Sequence, residues 1–351
     1  MKESAGSFEI AFTGDVCFGD FEKYTKSPFV NIIEYLKDYS IVINLEAPFI
    51  PNEIQFPQKS KISLRSPESA VESLHLLKPY LVNLANNHTN DFGKIGFENT
   101  KAILESNGLN YFGAGYLNDN HNVFADHTNK IVFFAYVTRS VDLSGTKLFN
   151  DIEFAGPKEY SLDLFVKQSQ EYKNYRKIVL FHWGIEDLHY PLPEQVVIAR
   201  KLIDSGCDLI IGNHSHVIQS FEKYNGKWIF YCLGHFFFPH YLSHFLRDGK
   251  VVKSLDFQTT ARRKSIIPVF NLKNEQINLE RIINITANEK FEPVYNNKKF
   301  IYNVFLFKNI NLYKIFYYIY TNLIILNGLP ARFIRKINRL FGVKKNFKNH
   351  E

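Results

Sequence analysis

The sequence predicts an α/β fold, and three observations carry that prediction. Apolar runs of strand length alternate along the chain with segments of helical spacing. The runs end at an acid, an amide or a histidine, several of them beside a glycine. Beyond about residue 250 the alternation gives way to two long apolar runs with no helix between them, as antiparallel strands closing a sheet would read.

Residues 8–13 read as the first strand and run into Gly14-Asp15, which delivers a carboxylate at the strand's exit. Residues 27–38 have helical spacing through Phe29, Ile32, Ile33 and Leu36, and residues 40–45 form a second strand ending at Glu46. Ser66-Pro67-Glu68 combines a capping residue, a proline suited to the first helical position and an early acid, so a helix is expected to about Lys78. A third strand, residues 81–85, opens into Asn86-Asn87-His88-Thr89-Asn90-Asp91, a loop in which every side chain can ligate or hydrogen bond. The next helix, about residues 95–106, stops at Asn107-Gly108, a pair suited to left-handed backbone.

Phe112-Gly113-Ala114-Gly115 lacks the spacing of a dinucleotide loop and the lysine of a phosphate loop, and reads as a tight turn. Residues 130–137 are a strand, 161–172 a helix, and 178–181 a strand whose exit is His182-Trp183-Gly184. An amphipathic helix, residues 193–205, is stopped by Gly206. The following apolar run ends in Gly212-Asn213-His214-Ser215-His216, two imidazoles one residue apart at a strand end, where open α/β sheets keep their ligands. A metal site and a turn that merely contains histidines both fit that stretch by itself. Residues 228–233 give one more strand ending at Gly234-His235, and residues 265–272 and 277–286 are the antiparallel pair.

The 351 residues hold 42 Lys or Arg against 35 Asp or Glu, and the excess is unevenly placed. From Asn296 onward there are eleven basic residues and one acid, Glu351, so residues 1–295 carry about three net negative charges. A basic tail on a mildly acidic body does not describe a nucleic-acid-binding core, and no nucleic-acid partner is expected. Three cysteines, Cys17, Cys207 and Cys232, with no CxxC spacing argue against a disulfide framework or a cysteine-based zinc site. Residues 1–7 are polar and lead straight into a strand, so no signal peptide is expected. A cytoplasmic protein, peripheral on the inner face of the membrane through its tail, fits best.

Residues 289–299 read as a linker, which separates a domain over residues 8–290 from a basic, aromatic-rich, mostly helical segment over residues 300–351. Residues 313–326 are apolar but interrupted by Lys314, Thr321 and Asn322 and fall short of a bilayer span. Residues 331–345 place Phe333, Ile334, Ile337, Leu340 and Phe341 on one helical face and Arg332, Arg335, Lys336 and Arg339 on the other. A helix lying on anionic lipid and a helix docked on the protein's own core are both built this way.

Taken together, the strand exits offer Asp15, Glu46, Asn87 with His88, His182, and His214 with His216. This mixed nitrogen and oxygen set suits one or two divalent transition ions, manganese, zinc or iron, and is too nitrogen-rich for a calcium or magnesium cage. Five polar exits are hard to explain by packing, because buried imidazoles and acids need partners.

Gly14-Asp15, Asn44-Leu45-Glu46-Ala47-Pro48, Leu84-Ala85-Asn86-Asn87-His88 with Asp91 and Gly93, His182-Trp183-Gly184, Gly212 with His214 and His216-Val217, and Leu233-Gly234 occur in a recognisable order and spacing. In these motifs, across about residues 8–290, the chain resembles the CapA family of capsule or poly-γ-glutamate synthesis proteins, whose fold is similar to the calcineurin-like metallophosphoesterases. The resemblance implies a four-layer α/β sandwich with a metal centre at the strand ends. It places Asp15, Glu46, Asn87, His182, His214 and His216 at the metal ligands and His88 at the histidine that contacts substrate or protonates a leaving group, with Asp91 near enough to orient it. The implied activity is metal-assisted hydrolysis of a phosphoester or of a γ-glutamyl polymer substrate. The alternative is a non-catalytic component of a membrane-associated polymer synthesis or export complex. Two positions depart from the pattern: Cys17 stands where related phosphoesterases have a histidine, and His235 stands where the family has asparagine, which leaves the number of metal ions open.

Overall fold

The structure, a computed structural model, describes residues 8–19, 26–54, 62–141, 149–150, 155–247, 250–256, 258–273, 276–297 and 309–326. Two mixed sheets form its body, and the chain builds them in turn. The first begins with β1 (Phe8–Val16), β2 (Ser40–Leu45), β3 (Leu81–Asn83) and β4 (Tyr111–Phe112), all parallel neighbours. Helices α1 (Ile33–Leu36), α2 (Val71–Leu77) and α3 (Gly93–Ser106) connect them. A short strand β5 (Ala114–Gly115) then leads to β6 (Val123–Asp126) and β7 (Ile131–Val137) of the second sheet, and β8 (Gly156–Pro157) returns to pair with β5.

Helix α4 (Leu162–Ser169), β9 (Arg176–His182), α5 (Pro193–Asp204) and β10 (Leu209–Asn213) continue the second sheet, which β11 (Phe221–Tyr224) and β12 (Lys227–Phe230) complete. The chain then comes back to the first sheet. Strand β13 (His235–Phe237) pairs parallel with β1, and a hairpin, β14 (Tyr241–Arg247) with β15 (Lys250–Asp256), follows. Strands β16 (Lys264–Lys273), β17 (Gln276–Ala287) and β18 (Pro293–Tyr295) close the first sheet antiparallel on the far side of β1. The final described helix is α6 (Ile310–Leu326).

The period-two alternation of the central strands sorts their side chains into separate cores. Ile10, Phe12 and Val42 of the first sheet meet Phe133, Ala135, Ile178, Leu180, Leu209 and Ile211 of the second in one cluster between the sheets. Ala11, Ile41, Ile43 and Val82 point the other way, onto Phe29, Leu36, Leu74, Phe97 and Leu104. Val132, Phe134, Val179 and Ile210 face Phe165, Val196, Leu202, Tyr313 and Tyr317. Each sheet therefore has helices over its outer face. Because β1, β2 and β3 run parallel, and β9 and β10 run parallel, each group ends on one edge of its sheet.

Several expectations hold in position and fail in detail. Residues 27–38 bury Phe29, Ile32 and Leu36 as the spacing requires, yet only Ile33–Leu36 is helical, a segment with no side-chain cap. Ser66 does not cap the next helix, which opens as a 3₁₀ turn at Glu68–Ala70. Its hydroxyl instead accepts from the Phe18 N–H at 3.2 Å and donates to the Ala47 carbonyl at 3.4 Å, tying the loops after β1 and β2 together. The first strand continues three residues past Thr13, so Asp15 lies within β1, at a register shift. The strand expected over residues 228–233 stops at Phe230, and β13 was not expected.

Helix α6 packs Tyr313 and Tyr317 into the second outer core, and the Tyr313 hydroxyl donates to the Pro191 carbonyl at 2.5 Å. The basic segment over residues 331–345 lies outside the described residues. Among the described residues no helix is long and apolar enough to cross a membrane.

Gly14 makes the contact between β1 and β13 possible: a Cβ there would lie 1.8 Å from the Gly234 carbonyl oxygen. Both partners are backbone, so no side-chain rotation relieves the overlap. Gly14→Ala is expected to lower unfolding free energy by about 3 kcal/mol, which urea denaturation checks.

Candidate metal centre

Sheet register sets the first cluster. Asp15 stands opposite His235 across β1 and β13 and opposite Asn44 across β1 and β2, and Asn44 stands opposite Asn83 across β2 and β3. A directional chain of hydrogen bonds follows from that register. The Ala85 N–H donates to Asn83 Oδ1 at 3.0 Å, Asn83 Nδ2 donates to Asn44 Oδ1 at 3.1 Å, and Asn44 Nδ2 donates to Asp15 Oδ1 at 2.8 Å. Oδ1 is thus held by a side-chain donor, while Oδ2 accepts from the His214 N–H at 3.4 Å and lies 3.4 Å from His216 Nδ1. His235 Nε2 lies 2.6 Å from that same His216 nitrogen.

The second cluster forms where β9 and β10 end side by side, with Asn213 opposite His182. Gly212 allows it: a Cβ there would lie 2.1 Å from the Tyr231 carbonyl and 2.4 Å from Trp183 Nε1. His214 and His216 then adopt φ of 97° and 59°, and these left-handed turns on either side of Ser215 bring both imidazoles to the cleft. Such conformations cost on the order of 1–3 kcal/mol each for a side chain with a Cβ and recur at functional sites. His182 Nε2 is met by Asn87 Oδ1 at 2.8 Å, His214 Nδ1 at 3.1 Å and Glu46 Oε1 at 3.8 Å.

Two triads result, Asp15 with His216 and His235, and Glu46 with His182 and His214, each with its donor atoms within 4.8 Å of one another and all six residues buried. They adjoin, since His216 Nε2 is 3.9 Å from Glu46 Oε1. All six expected ligand residues are brought to this region, Asn87 through its contact with His182. His235 was not expected; its signal was the same polar residue after an apolar run and a glycine that marked the other exits. Asn44 and Asn83 were also missed, because an asparagine inside a strand reads as an ordinary strand position. Cys17 is absent from both triads and packs with Ala47, Leu64, Phe238 and Tyr241.

The chemistry of the donor set fits a cation. Glu46 is fully buried, and neither of its carboxylate oxygens has a hydrogen-bond partner among the described residues. Its contacts of 3.8 and 3.9 Å to imidazole nitrogens are too long for hydrogen bonds. They are nearer the separation of ligands on a common ion, about 3.4 Å for a tetrahedron with bonds of about 2.1 Å. Burial, and then the Asp15 charge, push the Glu46 carboxyl well above the usual range, against the opposing pull of Arg262. Burial, followed by His216, holds the His235 imidazole well below its usual pKa, so it stays neutral and keeps a lone pair to offer. Arg262 itself is 5 % exposed and gripped by both oxygens of Asp187 at 2.6 Å, with Glu186 at 3.2 Å.

His88 and Asp91 lie in the loop after β3. His88 Nδ1 is 2.6 Å from Asp91 Oδ2, and that oxygen also accepts from the Leu64 N–H at 2.7 Å. The loop is pinned from below: Asn86 donates to the Leu45 carbonyl at 2.8 Å and accepts from the His88 N–H at 2.9 Å. A carboxylate on Nδ1 leaves Nε2 as the ring atom able to carry or release a proton.

The fold and the site together define a mixed α/β protein of two sheets with two buried carboxylate and imidazole triads that can hold metal ions. Residues 9–240 match the family described as bacterial capsule synthesis protein PGA_cap, and the chain belongs to that family. Among its relatives are the capsule biosynthesis protein CapA of Bacillus anthracis, 30 % identical over 245 residues, and the PGA biosynthesis protein CapA of Bacillus subtilis (strain 168), 30 % identical over 239 residues. Each match covers 65 % of this chain, and the chain spans 59 % and 62 % of the two relatives. A solved phosphatase from Mycoplasma pneumoniae overlays with a TM-score of 0.46 at 14 % identity, covering 80 % of this chain and 94 % of that one. The CapA resemblance read from the motifs is therefore borne out.

Two outcomes follow from this geometry. Asn44→Ala removes the donor that holds Asp15 and is expected to weaken metal binding about 10- to 100-fold, measured by calorimetric titration. An acid whose pKa rises on folding destabilises the folded state as pH increases, because the unfolded chain gives up its proton first. Metal-free protein should therefore lose stability as pH rises above the ordinary Glu range. Glu46→Gln should remove part of that loss, and urea unfolding of chelated protein between about pH 5 and about pH 8 reads it.

Proposed function

We propose that the chain is a metal-dependent hydrolase of capsule or poly-γ-glutamate biosynthesis, acting on a phosphoester or a γ-glutamyl polymer substrate. The observation that carries the reading is Glu46, a buried carboxylate without a hydrogen-bond donor among the described residues, facing imidazoles at 3.8 and 3.9 Å. The relatives' names supply the pathway, and the donor set supplies the reaction class. We take the layering of helices and sheets as the four-layer sandwich of the metallophosphoesterases.

In this reading Asp15, Glu46, Asn87, His182, His214 and His216 hold one or two divalent ions, manganese, zinc or iron. Such an ion supplies Lewis acidity and a water acidic enough to ionise near neutral pH. His88 gives a proton to the leaving group from Nε2, and Asp91 holds its ring by Nδ1.

One observation favours a second reading, a non-catalytic component at an anionic membrane. On α6 the side chains of Leu312, Ile315, Tyr318 and Ile319 are more than half exposed, and no acid occurs between Glu292 and Glu351. Apolar side chains beside a segment of unbalanced positive charge suit lipid of negative charge. Deleting the whole tail is a poor test, because Tyr313 and Tyr317 belong to a core. The triple variant Leu312→Ser, Ile315→Ser and Ile319→Ser leaves that core in place. Loss of vesicle flotation and of polymer in this variant, with no hydrolysis by the wild type, favours the second reading.

For the hydrolase, purified protein should contain a transition metal and cleave a generic phosphodiester or a γ-glutamyl substrate. His88→Ala is expected to lower kcat about 10²- to 10⁴-fold with metal content unchanged. No metal in the wild type, or unchanged metal in a His214→Ala and His216→Ala double variant, would contradict the proposal.

A further inference from the structure

We propose that His235 takes over as a metal ligand where position 17 does not, so that the chain binds two ions side by side. One ion is held by Asp15, His216 and His235. The other is held by Glu46, His182, His214 and the Asn87 amide oxygen. The inference rests on the metal-dependent reading above and adds a ligand, a stoichiometry and a reason for both departures from the family pattern.

Backbone geometry commits His235 to this place. The parallel pairing of β13 with β1 sets it opposite Asp15, and the Asp15 N–H donates to the Gly234 carbonyl at 3.0 Å. Gly234 has φ of 82°, a turn that favours glycine, and it directs the next residue into the cleft. Side chain and backbone agree: His235 is 5 % exposed, and its Nε2 is 2.6 Å from His216 Nδ1, which in turn is 3.4 Å from Asp15 Oδ2. Two imidazole nitrogens and a carboxylate oxygen gathered this closely need a proton or a cation between them.

Position 17 is committed elsewhere. Its backbone N–H donates to the Phe237 carbonyl at 2.8 Å, and its side chain packs among Ala47, Leu64, Phe238 and Tyr241. The sulfur of Cys17 is in neither triad. The same strand pair thus carries both positions: β13 lies along β1, so where the end of one offers no imidazole the start of the other supplies one.

The exchange gives the two positions the same charged and imidazole ligands, with the Asn87 amide oxygen additional at the second. Each triad then offers one carboxylate and two imidazoles, a set that suits zinc, iron or manganese and leaves room for a further ligand. Without His235 the Asp15 position would keep one carboxylate and one imidazole, too few for firm retention of a divalent transition ion.

Metal content of protein loaded with zinc or manganese, dialysed and analysed by mass spectrometry, tests this directly. The wild type is expected to hold two ions per chain, His235→Ala one, His182→Ala one, and Cys17→Ala two. His235→Asn, which restores the family's residue, guards against a misfolded alanine variant and is also expected to hold one. Cobalt titration followed by visible absorption should show two binding phases in the wild type and one in either His235 variant. Two ions in a folded His235 variant, one ion in the wild type, or a loss caused by Cys17→Ala would overturn the proposal. No ion in the wild type would instead remove the metal-dependent reading beneath it.

Discussion

The arrangement of this protein turns on two carboxylates, Asp15 and Glu46, buried completely beside four imidazoles where the strands of its two sheets end. Burying one ionised carboxylate without a partner costs several kcal/mol, and burying two close together adds their repulsion. Asp15 is partly compensated by the Asn44 amide and the His214 N–H, whereas the Glu46 carboxylate has no hydrogen-bond donor among the described residues. A cation resolves both problems at once, and the surrounding architecture makes sense as the means of holding its ligands still. Parallel β1 and β2 set Asp15 against Asn44, parallel β9 and β10 set His182 against Asn213, and the turns at His214 and His216 aim two rings into the cleft between the sheets.

Much of this was legible in the residue order, for a physical reason. Central strands buried on both faces read as continuous apolar runs, and an acid or histidine that follows such a run stands out. Asp15, Glu46, His182, His214 and His216 were found in that way. The neighbourhood of His88 and Asp91 was legible too, because only two residues of one loop separate them.

What was not legible depends on pairing between distant segments. His235 carried the same local signature as the other exits, but only its register against β1, more than two hundred residues earlier in the chain, makes it a neighbour of Asp15. Asn44 and Asn83 are interior strand residues whose value appears once β1, β2 and β3 lie side by side. The short α1 misled in a different way: its apolar spacing marks the buried face correctly, while helix length depends on caps that the segment lacks. Tyr313 and Tyr317 likewise gave no sequence sign that the helix bearing them contributes to a core.

The donor set carries the proposal that a divalent cation is part of the folded state. Ligand linkage makes this measurable without any substrate, since an ion that binds only the folded chain raises its stability as RT ln(1 + [M]/Kd). The direct measurement is the unfolding free energy of chelator-treated protein titrated with zinc or manganese. The account predicts a rise of about 1.4 kcal/mol for each tenfold increase in free metal above Kd per ion bound. An unfolding free energy that stays flat across the titration, with the protein folded throughout, would contradict it.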